Sequence, residues 1–156
     1  MAEVNMEKAR QVFQSLCSAL DAGDLRYQRD EENLRIEFTI RGKDLPIYIR
    51  IKVIPTQQLV LLLSEVPYRF PEDKRVDGAI AVSIVNDRLA NGCFDYDVRN
   101  GSIWFRMTNS YIDSDLSKDL FDYMVNVSCN TVDDFNDKFV SIGLGSMDVS
   151  SLFPEE

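Results

Sequence analysis

Three cysteines and no histidine set the limits of the chemistry this chain can do. Without histidine, Ser-His-Asp and Cys-His relays are excluded, and with them the commonest general base. Cys17, Cys93 and Cys129 are widely spaced, form no CxxC pair and offer no zinc-ligand pattern. A reactive thiolate would need a helix N-terminus or a neighbouring Lys or Arg. Cys17 and Cys129 fall within helical patterns and read as structural. Cys93 opens a strand after Gly92 and is the one candidate nucleophile. Among the carboxylates, Asp113-Ser114-Asp115-Leu116-Ser117 begins like an EF-hand loop. Its sixth position is Lys118 where glycine is needed, and its twelfth is Met124 where a bidentate Glu is needed. Helix capping by Asp115 or Ser117 accounts for it better. Asp95 and Asp97 share a strand face and could hold a cation, but Asp95 is also placed to pair with Arg106. Gly143-Leu144-Gly145 follows a helix, so it is a cap and not a phosphate cradle. No GxGxxG, GxxxxGK[ST] or GxSxG occurs. No catalytic, cofactor or metal site is expected, and the chain reads as a non-enzyme.

Charge narrows the partners. The net charge is −9, and the densest basic grouping is Arg41-Gly42-Lys43 with Arg50 and Lys52 one strand later. Phosphate backbones demand clustered Lys and Arg, so nucleic acid is not an expected partner. The start, Met1 to Lys8, has no basic segment followed by an apolar one and does not resemble a leader. The longest apolar run, Leu59 to Leu63, is far short of a membrane span. Free thiols then suit a reducing, cytoplasmic setting. At 156 residues, one domain over residues 1–145 is expected, with a loosely attached acidic tail over 146–156.

The positioning elements are legible in the periodicity. Ala9, Val12, Phe13, Leu16 and Leu20 recur at helical spacing over residues 5–22. A short strand is expected at Leu25-Arg26-Tyr27. Strict alternation marks strands at Leu34–Arg41 and Ile47–Val53. Leu59–Leu63 lacks alternation and predicts a central strand buried on both faces. A second helix is expected over residues 72–90. Val76, Ala79, Ile80, Ser83 and Ile84 share one side with a late Leu89, and Val82 and Val85 widen the stripe. Such width implies deep burial or a shared surface. A third helix is expected over residues 116–142, stopped by Gly143 and Gly145.

Between the last two helices lies a hairpin. Asn100-Gly101 joins two alternating runs, and a type I′ turn there would set Val98 opposite Ile103, Tyr96 opposite Phe105 and Phe94 opposite Met107. Asp95 would face Arg106 on the other side. The order α-β-β-β(-β)-α-β-β-α defines an α+β fold, with a twisted antiparallel sheet covered by helices on one face.

The segment from Val76 to Val140 resembles the YbjN family. The residues that carry the resemblance are Ala79 to Ala90, then Asn91-Gly92-Cys93-Phe94-Asp95-Tyr96-Asp97, Gly101-Ser102-Ile103-Trp104-Phe105-Arg106, and Leu116-Ser117-Lys118-Asp119-Leu120. The resemblance implies a fold similar to type III secretion chaperones, which are commonly dimers that bind partner proteins as extended segments. It transfers no site residue. The expected function is therefore non-enzymatic protein binding by a homodimer, through an apolar helix surface and a sheet edge. Val82, Val85, Leu89 and Trp104 are the expected interface. The alternative is a small-molecule sensor, with Tyr96, Trp104, Tyr111 and Tyr123 lining a cleft between hairpin and last helix.

Overall fold

Alternation with period two decides which side chains of the sheet meet the helices. The computed structural model describes residues 4–155; the first three residues, where the expected absence of a leader begins, and the last lie outside it. The elements are α1 (Met6–Ala22), β1 (Gln28–Asp30), β2 (Arg35–Arg41), β3 (Pro46–Ile54), β4 (Leu59–Arg69), α2 (Arg75–Asp87), β5 (Cys93–Asp97), β6 (Ser102–Ser110) and α3 (Lys118–Gly143). Short 3-10 turns precede α2 and follow α3. The six strands form one antiparallel sheet in the order β1-β2-β3-β4-β6-β5, so the fold is α+β as expected. The first strand begins three residues later than its pattern predicts, after Asp24 has taken a positive φ of 54°.

The starts of α1 and α3 are specified locally. The Asn5 side chain accepts the Lys8 N–H at 2.9 Å at the head of α1, and Ser117 accepts the Leu120 N–H at 3.2 Å at the head of α3. Packing supplies the rest. Ile47, Ile49, Ile51 and Val53 of β3 are all at most 2% exposed and point at the helices, as do Val60, Leu62, Ile103, Phe105 and Met107. An edge-to-face aromatic chain ties α3 to the sheet: Phe139 lies 5.1 Å from Phe94 and 6.5 Å from Phe70, and Phe94 lies 5.3 Å from Phe105.

Two expectations about strands are corrected here. Strand β4 is central, but it is not covered on both faces. Val60, Leu62, Ser64 and Val66 are buried while Leu59, Leu61 and Leu63 are only half-buried, because no helix lies over their side. The hairpin register is two residues from the expected one: Phe94 pairs with Phe105, Tyr96 with Ile103 and Asp95 with Trp104. A type I′ turn needs positive φ at both Asn100 and Gly101, and only Gly101 has it, at 75°. The loop is instead Val98–Gly101, with the Gly101 N–H donating to Asp97 O at 2.7 Å. The Asp97 carboxylate takes the Arg99 N–H at 3.0 Å and its guanidinium at 2.8 Å. Because side chains alternate with period two, a two-residue shift leaves every residue on its expected face. Val98 and Arg99 leave the ladder for the loop, and Val98 is 55% exposed.

The C-terminal segment packs back on the domain around Leu152, with Met147 and Val149 partly buried beside it. Leu152 is 1% exposed, and its carbonyl accepts from the Arg88 guanidinium at 2.9 Å at the end of α2. Ser146 and Met147 donate their N–H groups to Ser141 O as the chain leaves α3. Burying one leucine stabilises by roughly 1.5–3 kcal/mol, which adds to these hydrogen bonds in offsetting the segment's entropy of ordering.

Candidate functional site

Helix α2 lies along the β5 side of the sheet, and its phase is set by a close approach. A Cβ on Gly78 would stand 2.6 Å from the Tyr96 hydroxyl and 2.8 Å from Phe70, so only glycine lets the helix sit this near. That contact turns Gly78, Ala81, Val82 and Val85 inward. Val82 is 6% exposed and Val85 0%, and Leu89 is packed partly against the core. Val82 and Val85 thus spend their apolar area inside the chain, and of these three expected contacts Leu89 alone keeps part of its side chain outside. The outward arc carries Val76, 69% exposed, and Ile80, 43% exposed, one turn apart.

The same helix closes one sheet edge. The Phe94 N–H donates to Asn86 Oδ1 at 2.8 Å, and Asn86 Nδ2 donates to Phe94 O at 2.9 Å. This amide takes both outward backbone groups of Phe94, as an added strand would. The opposite edge is different. Strand β1 pairs only with Arg35–Glu37 of β2, so residues 38–41 have β3 as their sole partner.

Trp104 lies on the face of the sheet that no helix covers. Its indole N–H donates to Asp95 Oδ2 at 3.1 Å, and Arg106 grips the same carboxylate through Nε at 2.6 Å and Nη2 at 3.1 Å. The Arg106 bonds first, and then the Trp104 bond, hold the Asp95 carboxyl below its usual range despite partial burial. Trp104 thereby helps to line an open trough of about 810 Å³. Tyr48 and Leu63 share the trough with it, and Arg26, Arg50, Arg69, Glu37 and Glu65 bring the charge. Arg50 Nε donates to Glu37 at 2.8 Å, and Arg35 lies 3.4 Å from the same carboxylate. Among the described residues, Arg26 and Arg69 have no carboxylate within 4.0 Å.

The four aromatics expected to line one cleft are dispersed. Tyr111 is 2% exposed in the core, and the Tyr96 hydroxyl donates to Arg75 O beside α2. Tyr123 sits outside on α3, and Trp104 is on the other side of the sheet. Cys93 is half-buried. Burial first, and Asp95 second, push its thiol up, against the pull of Arg106. Burial likewise raises Cys17 and pushes Cys129 up to about 11, so all three sulfurs favour the thiol over the nucleophilic thiolate. Sequence reasoning missed the Asn86 clamp and the convergence of Arg26 and Arg69. Neither carries a local signal, since the partners are eight residues apart in one case and, in the other, one precedes β1 while the other ends β4.

A single antiparallel sheet with all its helices on one side and a bare second face is the frame of a secretion-chaperone-like α+β protein. The chain belongs to the YbjN family, described as "Putative bacterial sensory transduction regulator", whose pattern matches residues 13–141. That span reaches well upstream of the Val76–Val140 resemblance and takes in the second half of α1 and the first four strands. Two solved structures share the fold. YbjN from E. coli, described as a "putative transcription regulator", matches with a TM-score of 0.62 and 12% identity, over 82% of this chain and 90% of that one. A chain of the HopA1-SchA chaperone-effector complex matches with a TM-score of 0.53 and 11% identity, over 88% of this chain and 98% of that one. At such identities the likeness is one of fold. No curated protein sequence matches the chain.

Proposed function

We propose that this chain is a non-enzymatic, protein-binding domain of the cytoplasm, regulatory or chaperone-like, that works as a homodimer. The observation that carries the reading is the α2 surface. Val76 and Ile80 face outward from a helix whose other side is locked into the core by Gly78. The family description and the chaperone–effector neighbour support the same role. Covering two exposed apolar side chains is favourable at roughly 25 cal/mol per Å². A helix meeting its own copy across a two-fold axis covers them in both protomers at once. The partner protein's extended segment would add to the sheet at residues 38–41 of β2, since the β5 edge is occupied by Asn86. Trp104 remains a candidate contact on the bare face.

Light scattering after gel filtration tests the dimer. The wild-type chain is expected at twice its monomer mass, and the doubly substituted Val76→Glu, Ile80→Glu chain at the monomer mass with unchanged circular dichroism. A wild-type monomer, or a variant that stays dimeric, would overturn the α2 assignment.

A further inference from the structure

We infer that the trough on the bare face of the sheet binds a small organic anion that carries an aromatic ring. The inference uses the face opposite the helices and shares only Trp104 with the protein-binding reading, whose other surfaces are α2 and the β2 edge.

Size comes first. About 810 Å³ lies within the range of roughly 300–1,000 Å³ typical of small-molecule sites. The floor is suited to a flat apolar group: Tyr48, Leu63 and Trp104 rise from three different strands and line the same space. The Trp104 ring is already oriented by Asp95, itself held by two bonds from Arg106. A ring stacking on it would not have to order that side chain first.

Charge selects the sign of the ligand. The chain as a whole carries −9, yet this trough gathers three guanidinium groups and two carboxylates. Glu37 is engaged by Arg50 and Arg35. Arg26 and Arg69 are left facing the trough without a carboxylate within 4.0 Å among the described residues. Guanidinium forks bind carboxylate and phosphate oxygens in a bidentate manner, so each of these two arginines offers the trough a partner for an acidic headgroup.

The geometry also favours a compact ligand over a polypeptide. A sheet face presents side chains; its backbone N–H and C=O groups are used within the ladder, so an extended peptide laid on it finds no backbone partners. A helix would need an apolar row to sit on. The bare face offers such a row only one strand wide, the half-buried Leu59, Leu61 and Leu63 of β4, and flanks it on β3 with Tyr48, Arg50 and Lys52, where the covered side carries Ile47, Ile49, Ile51 and Val53.

Trp104 is the chain's only tryptophan, so its fluorescence reports on this trough alone. The test titrates the full chain with AMP and 2-naphthoate, and with inorganic phosphate and 2-naphthylmethanol as the ringless and uncharged counterparts. An acidic octapeptide of glutamate is the polypeptide control. Tryptophan emission and melting temperature are both read. The ring-bearing anions are expected to saturate and to bind at least about tenfold more tightly than either counterpart. The Arg26→Gln, Arg69→Gln double variant changes only exposed side chains and is expected to weaken them by about tenfold with its own melting temperature unchanged. Three results would overturn the inference: no saturation by either anion, equal binding of 2-naphthylmethanol, or unchanged binding in the double variant. Tighter binding of the glutamate peptide would overturn it in favour of an acidic protein partner.

Discussion

The two faces of the sheet are built from the same strands and have opposite fates. On β3, Ile47, Ile49, Ile51 and Val53 are sealed under the helices, while Tyr48, Arg50 and Lys52, interleaved with them, stand in the open. On β6, Ile103, Phe105 and Met107 are buried while Trp104 and Arg106 reach the other way. The covered face carries stability and leaves little surface for a partner. The bare face retains charge and aromatic area that folding does not consume. In this chain, recognition is expected where packing is incomplete: on the bare face, along residues 38–41 of β2, and on the outer arc of α2.

Substitutions in the covered layer should have the largest effects. Phe139→Ala removes a side chain that is 0% exposed and touches Phe94 and Phe70. It is expected to cost about 3–5 kcal/mol in urea unfolding. A loss under 1 kcal/mol would mean that α3 does not anchor the sheet as described.

The boundary between the two regions comes next. Asn86→Ala strips Phe94 of both its outward hydrogen bonds. A loss of about 1–3 kcal/mol is expected, together with faster amide exchange at Phe94. Equal protection in both proteins would show that the edge is closed by something else. On the bare face, Arg50→Ala and Tyr48→Ala should each shift stability by no more than about 0.5 kcal/mol, since neither side chain is buried. A cost resembling that of Phe139 would erase the contrast between the faces.

The smallest effect is electrostatic. Arg106 and Trp104 hold Asp95 below the usual carboxylate range, so the folded state binds this proton less readily than the unfolded state. The resulting stability is present above the unfolded carboxylate pKa of about 4 and is lost as pH falls through the folded value. Asp95→Asn should therefore lower the melting temperature at pH 7, and the gap should close toward pH 2. A gap independent of pH would assign the effect to shape and not to charge.

How far these features can be read in the residues differs by feature. The alternation of Leu34–Arg41 and Ile47–Val53 shows two strands and their inner faces directly, because side-chain direction in a strand depends only on parity. Asn5 and Ser117 mark helix starts by satisfying nearby N–H groups. The α2 stripe is another matter. Residues 75–87 are apolar on two arcs, and periodicity cannot say which is buried. Leu152 gives no hint that it is docked until α2 and Arg88 are in place.

The sequence by itself determined the α+β class, the element order and the face of each residue in the alternating strands, because these follow from local period and capping. Only the tertiary structure decided that Gly78 would turn Val82 and Val85 inward and that Asn86 would close the β5 edge. It also decided that Arg26, Arg69 and Trp104 would meet around one trough. Those outcomes depend on contacts between elements distant in the chain, where close approach and the sharing of backbone hydrogen bonds select one arrangement among several that local pattern allows equally.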